Sequence, residues 1–232
     1  VITCLTAQNP SGVSAIQAAR PGLVRRQLEA VTGALAPSAA KTGMLFSAAI
    51  IREVADFFAG WGKRCPPLVV DPVMVATSGA RLLQDSAVRL LRDRLLPLAQ
   101  LVTPNLDEAR ILADRELLDL DDLRWAARAI RDRYGCPVLV KGGHLPGPMA
   151  VDVYWDGVRE ILLRARRIRG LSSHGTGCTY SAAIAASLAL GQPAPDAVRA
   201  AKRYITRALR RTRRVGRHTV LGHGQMGRSR AT

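Results

Sequence analysis

Aromatic residues make up only 4% of this 232-residue chain. A hydrophobic share of 48% must therefore be built mostly from Ala, Leu, Val and Ile, which favours helices packed closely on a sheet over an aromatic-rich β-sandwich. Cysteine is equally sparse: Cys4, Cys65, Cys136 and Cys178 are scattered, with no CxxC spacing. That pattern excludes a zinc cluster or a disulfide framework and reads as reduced thiols in a cytoplasmic protein. Uninterrupted apolar stretches of about 18 residues are missing, as is a charged leader followed by an apolar run and a cleavage site, so neither a membrane span nor a secretion signal is expected. Acidic residues are few, 18 against 34 basic ones, for a net charge of +16. Charge alone does not choose between nucleic acid, a membrane surface and small anions. The arginines are spread along the chain and thicken from Arg207 to Arg217 without interleaved aromatics, so they read as solvated helix faces, and no nucleic-acid or membrane partner is expected.

What is present has the rhythm of a βαβ sheet, with short β-branched runs between longer helical patterns. The length suits one domain over 1–232. Val1 to Leu5 reads as a buried strand, Arg25 to Leu35 as a helix, and Ala40 to Met44 as a strand stopping at glycine. Ser47 is placed to cap a helix reaching Trp61. Leu68-Val69-Val70 and Leu101-Val102-Thr103 are strands that each run into proline, which cannot donate to a ladder. Helices are expected over Ser86–Leu95, from Asn105 onward, and over Leu120–Tyr134. Pro137 to Lys141 is a further strand, followed by a β-excursion around Asp156-Gly157. A small-residue helix from Cys178 to Leu190 and a last one from Ala194 to Arg210 complete the order.

Three strands thus end in polar, sharply turned segments at Asp71, Thr103 and Lys141, and in an open parallel sheet such ends gather along one ligand-binding edge. Gly175-Thr176-Gly177 before a helix leaves backbone amides unpaired and aimed outward, an anion-attracting arrangement. Cys178 in the first turn of that helix is expected to have a depressed pKa and to serve as a base. Phosphoryl transfer also needs cations and a metal-bridged nucleotide. Lys141, one of only four lysines, is the natural phosphate contact; Asp71 and Glu108 are candidate Mg²⁺ ligands, direct or through water, with Asn105 orienting them.

Six segments then carry a resemblance: Val1-Ile2-Thr3 through Thr6-Ala7-Gln8-Asn9, Lys41-Thr42-Gly43-Met44-Leu45, Val70-Asp71-Pro72-Val73-Met74-Val75, Thr103-Pro104-Asn105 with Glu108, Val140-Lys141-Gly142-Gly143-His144, and His174-Gly175-Thr176-Gly177-Cys178-Thr179. Together with Gly222-His223-Gly224 they span essentially the whole chain. The chain resembles the hydroxymethylpyrimidine/phosphomethylpyrimidine kinases of thiamine biosynthesis, within the ribokinase-like superfamily. The resemblance implies a three-layer α/β/α sandwich with a mostly parallel sheet. It begins at the family's second strand, so the first strand is expected to be missing. It also implies ATP with Mg²⁺ as cofactors, and a pyrimidine alcohol and its monophosphate as acceptors; it admits a homodimer. By the same resemblance Gln8 bonds the pyrimidine ring, Met44 and Val73 wall it, and Gly175, Thr176 and Gly177 form the anion hole. Cys178 stands where most superfamily members place an aspartate base, and Asn105, Lys141 and Thr176 meet the nucleotide. Asn105 with Glu108 matches the Asn-x-x-Glu magnesium motif.

A pyridoxal or pyridoxine kinase would use the same phosphate apparatus, although Val75 to Gly79 lacks the flap cysteine some such relatives carry. Hydroxyethylthiazole kinases share the Gly-Thr-Gly-Cys turn but are disfavoured by the segments around Gln8 and Asp71. A non-catalytic pyrimidine-binding protein would bind without turnover.

Overall fold

The computed structural model describes residues 1–9, 12–74, 83, 85–168, 175–216 and 218–223. Six strands form the central sheet, in the order β3 (Ala40–Thr42), β4 (Leu68–Val70), β5 (Leu101–Val102), β6 (Val138–Val140), β7 (Met149–Trp155) and β8 (Glu160–Arg166). The first four are parallel, and β7 and β8 return antiparallel as a hairpin. Strands this short and this rich in Val and Leu suit a sheet covered on both faces. Successive side chains then alternate between two cores. Leu68 and Val70 join one, with Val102, Val138 and Val140, while Val69, Leu101 and Leu139 join the other.

The first core is roofed by α1 (Pro21–Ala34), α2 (Ala48–Ala59), α3 (Asp85–Leu90), α4 (Leu106–Ala113) and α5 (Leu120–Tyr134), and the second by α6 (Thr176–Ala189) and α7 (Ala194–Arg210). The expected three layers are therefore present. Local chemistry sets the helix ends. Ser47 accepts from the Ile50 amide at the start of α2. Asp119 does the same for Asp122 in α5, which stops at left-handed Gly135. Beyond α3 the chain loosens into a π turn over Leu91–Leu95 and a 3₁₀ turn over Leu96–Leu98, since Pro97 lacks the amide needed to continue an α-helix. Among the described residues no helix is long and apolar enough to cross a membrane.

The N-terminal strand departs from expectation. Val1 to Leu5 is not a buried strand: among the described residues β1 (Cys4–Asn9) pairs only with β2 (Gly12–Ala18), as an antiparallel ribbon outside the central sheet, and Leu5 is 62% exposed. An apolar run marks a strand without naming its partner, and here the partner is a neighbouring segment with no second face to cover. The ribbon is anchored at its base. Thr3 Oγ1 donates to the Met44 carbonyl at 2.7 Å, and Gln27 exchanges hydrogen bonds with both backbone groups of Ile2. A second small ribbon, β9 (Arg213–Val215) with β10 (His218–Val220), lies in the arginine-rich tail.

Among the described residues of the six-stranded sheet, β3 has a partner only on its β4 side. Between this edge and the first residues of the chain lies a cavity of about 580 Å³, lined among others by Thr3, Gln8, Lys41, Thr42 and Met44.

Candidate active site

Asp71, Thr103 and Lys141 follow directly on β4, β5 and β6, so the parallel register brings all three to one end of the sheet. Asp71 is 3% exposed, and its carboxylate is fully engaged. Oδ1 accepts from Lys141 Nζ at 2.9 Å and from Thr103 Oγ1 at 3.1 Å; Oδ2 accepts from Ser181 Oγ at 3.0 Å, with Lys41 Nζ at 4.0 Å. Burial alone would raise the Asp71 carboxyl, but Lys141, Lys41 and Ser181 outweigh it and hold the group below the usual carboxylate range. Lys141 answers in kind: burial works to lower its ammonium, and the attraction of Asp71 and Glu108 raises it instead.

Asn105 begins α4 in a capping box. Its Oδ1 accepts from the Glu108 amide at 2.9 Å, and Glu108 Oε2 accepts from the Asn105 amide at 2.8 Å. Glu108 Oε1 reaches the Met74 amide at 3.4 Å. Burial, reinforced by Asp71 and opposed by Lys141, pushes the Glu108 carboxyl up to about 7.

The start of α6 closes the site. Gly175 caps it at φ 79°, a left-handed conformation that other residues rarely adopt. The first helical bond runs from the Thr179 amide to the Gly175 carbonyl, so the Gly177 and Cys178 amides have no acceptor within the helix. Gly177 lies against the Lys141 side chain: a Cβ there would stand 3.1 Å from Lys141 Nζ. Backbone donors and a lysine ammonium are thereby set side by side, an arrangement able to hold a phosphate.

Cys178 is exposed beside this cradle, but its thiol departs from expectation. Loss of surrounding solvent raises its pKa, Asp71 and Glu108 add to this, and Lys41 and Lys141 only partly oppose it. Desolvation, with a contribution from the two carboxylates, outweighs the depression that the helix terminus was expected to produce.

The structure thus brings together Asp71, Asn105, Glu108, Lys141, Gly175, Thr176, Gly177 and Cys178. Gln8, on β1, and Met44, just after β3, line the neighbouring cavity. Val73 lies half-buried two residues past Asp71, whose carbonyl accepts its amide, and is not among the residues lining that cavity. Val75 to Gly79, His174 and Gly224 lie outside the described residues. Among those described, no group of three or more His, Cys, Asp or Glu could hold a metal ion.

Sequence reasoning placed Thr103 at the strand-end edge without its bond to Asp71, and assigned no role to Lys41, Ser181 or a second buried pair. In that pair Lys202 Nζ meets Asp152 Oδ2 at 2.7 Å and the Ala150 carbonyl at 3.2 Å, while Asp152 Oδ1 accepts from the Gly142 amide at 3.1 Å. One signal was available. In a chain with four lysines, Lys41, Lys141 and Lys202 each face a buried aspartate, and only Lys63 is a plain surface residue.

Comparison with known proteins shows the family. Residues 1–223 match the family model described as phosphomethylpyrimidine kinase. A hydroxymethylpyrimidine/phosphomethylpyrimidine kinase of Synechococcus elongatus is 45% identical over 97% of this chain and 84% of its own length. Among solved structures, a phosphomethylpyrimidine kinase from Clostridium difficile 630 is 37% identical, with a TM-score of 0.77 over 90% of this chain and 85% of that one. The pyridoxal kinase from Staphylococcus aureus in complex with AMP-PCP and pyridoxal is 29% identical, with a TM-score of 0.86 over 98% of this chain and 82% of that one.

Proposed function

This chain belongs to the phosphomethylpyrimidine kinase family, and from that premise we propose that it carries out two successive phosphoryl transfers from ATP in thiamine biosynthesis, in the cytoplasm. The first acceptor is 4-amino-5-hydroxymethyl-2-methylpyrimidine and the second its monophosphate, giving the diphosphate. One observation carries the reading: the Gly177 and Cys178 amides, Lys141 and an exposed thiol share one end of the sheet, beside a cavity that holds Gln8 and Met44.

In this reading Gln8 bonds the pyrimidine ring and Met44 packs on it, with Val73 as a further wall. The amides opening α6 and the Lys141 ammonium hold the γ-phosphate, while Asn105 and Thr176 serve the rest of the nucleotide. In the first transfer the hydroxymethyl oxygen attacks the γ-phosphorus. The bond from that phosphorus to the β-γ bridging oxygen breaks, and ADP leaves with the electron pair. The hydroxyl proton passes to the Cys178 thiolate. Because the thiol is raised, the reactive thiolate fraction grows toward alkaline pH.

The donor set fits magnesium only in part. Both Asp71 oxygens are already taken by hydroxyl and ammonium donors, so Asp71 suits the positioning of Lys141 better than direct coordination. Each Glu108 oxygen accepts a single amide and keeps a lone pair, which fits a contact through metal-held water. When bound with ATP, magnesium supplies charge neutralisation on the phosphates.

The test is ATP consumption with the pyrimidine alcohol, its monophosphate and pyridoxal as separate acceptors. Turnover with both pyrimidines is expected. A clear preference for pyridoxal would overturn the substrate assignment, and tight pyrimidine binding without turnover would overturn the enzyme.

A further inference from the structure

We propose that Lys41 is the binding group for the acceptor's own phosphate, so that it serves the second transfer far more than the first. The inference rests on the two-step reading above and adds a residue that divides the steps. Lys41 is the middle residue of β3 and lines the same cavity as Gln8 and Met44. It stands between the cavity and the phosphate cradle: its Nζ lies 4.0 Å from Asp71 Oδ2, and Asp71 in turn touches Lys141.

Its ammonium is underused. Asp71 is satisfied by Lys141, Thr103 and Ser181 at 2.9 to 3.1 Å, and at 4.0 Å Lys41 is an ionic neighbour of Asp71 without a hydrogen bond. Among the described residues its three N–H donors thus remain for a ligand. Gly43 keeps the space open, since a Cβ there would come within 3.1 Å of Lys41 Nζ. Charge points the same way. Lys41 and Lys141 converge on the single carboxylate of Asp71, which binds Lys141 closely and leaves the Lys41 charge in excess.

The two acceptors make opposite demands on such a site. The alcohol is neutral and must lose a proton; it needs a base and gains little from a second cation. The monophosphate arrives with a charge of about −1.5 to −2 and must approach the nucleotide's phosphates, so it needs a cation between the two anions. Its attacking oxygen is already deprotonated: that oxygen forms a bond to the γ-phosphorus, the bond to the β-γ bridging oxygen breaks, ADP leaves with the electron pair, and no proton has to move. Lys41 and Cys178 should therefore separate the two steps.

The experiment gives wild type, Lys41→Met, Lys41→Arg and Cys178→Ala the purified alcohol or the purified monophosphate with saturating ATP, and measures kcat/KM for each acceptor. Lys41→Met is expected to lower the monophosphate reaction by about 100-fold and the alcohol reaction by less than about fivefold, in keeping with a lost charge-assisted contact. Lys41→Arg should recover most of the monophosphate rate, and Cys178→Ala should show the reverse bias. Equal losses with both acceptors in Lys41→Met would reduce Lys41 to a prop for Asp71 and overturn the proposal, as would an undiminished monophosphate rate. A wild-type enzyme inactive on both pyrimidines would instead sink the functional reading itself. Should circular dichroism show Lys41→Met unfolded, wild type in rising NaCl decides. Going from about 50 to about 500 mM should raise KM for the monophosphate several-fold more than KM for the alcohol, and parallel changes overturn the proposal.

Discussion

Asp71 with Lys141 and Asp152 with Lys202 are two buried ion pairs of nearly the same length, 2.9 and 2.7 Å. Their surroundings differ. Around Asp152 the donors are matched: Lys202 also meets a carbonyl, and the second carboxylate oxygen holds the Gly142 amide. Around Asp71 there is one cation more than the carboxylate can bind closely, and that cation reaches a cavity. Burying a charge is costly unless it is paired and hydrogen-bonded, so a closed pair and an open one signal different uses. The closed pair ties α7 to the β6–β7 corner. The open one holds unspent positive charge where an anion can arrive.

The sharpest way to break this contrast is to neutralise each pair in turn. Lys141→Met should cut turnover by about 10³-fold, because it removes a cation from the transferred phosphoryl group. Steady-state assays on protein shown to be folded check this, and a loss under tenfold would return Asp71 and Lys141 to the structural class. Asp152→Asn should act mainly on the fold, costing about 3 kcal/mol in urea denaturation by leaving Lys202 buried without its counter-charge, with a smaller change in turnover per folded molecule. The contrast collapses if the two variants exchange phenotypes.

Cys178→Ala should lower alcohol phosphorylation by roughly 10²-fold with nucleotide affinity nearly intact. The wild-type rate should climb above the ordinary thiol range, since loss of solvent around the sulfur, reinforced by Asp71 and Glu108, outweighs Lys41 and Lys141 and leaves its pKa raised. That alkaline rise should vanish in the variant, and its persistence would remove the thiol from the chemistry.

The smallest effect concerns Glu108. Its folded carboxyl lies at about 7 against an ordinary value of 4.5. Below the lower value both states are protonated; between the two, the unfolded chain ionises while the folded one keeps its proton. Stability contributed by the neutral group is therefore complete at low pH and lost as pH rises through about 7. Denaturation at about pH 4.5 and about pH 8 should show wild type losing on the order of 2 kcal/mol relative to Glu108→Gln. Parallel curves would show that Glu108 ionises freely.

The elements legible in the sequence are those whose signals are local. Leu120–Tyr134 and Ala194–Arg210 are helices with the expected bounds, and Leu68–Val70 is a strand, because periodicity and neighbouring caps lie within a few residues of each end. Strand tips at Asp71, Thr103 and Lys141 were readable for the same reason, as prolines and a double glycine follow them. Partnerships across space were not. Nothing within Val1 to Leu5 says that its neighbour is β2, and nothing near Cys178 announces two carboxylates beneath it. Ser181 lies 110 residues from Asp71, and a serine inside a small-residue helix gives no hint of its acceptor.

The anchored ribbon of β1 and β2 makes Gln8 the tip of a cantilever. Its fixings, to Met44 and Gln27, lie at Ile2 and Thr3, about 17 Å from Gln8 at the usual rise per strand residue. A tilt of roughly 5° at the root would swing the tip by about 1.5 Å, enough to misaim a ring-binding amide. Mutations at the root of the arm, remote from any phosphate, should then show up as altered choice between acceptor rings before they show up as lost turnover.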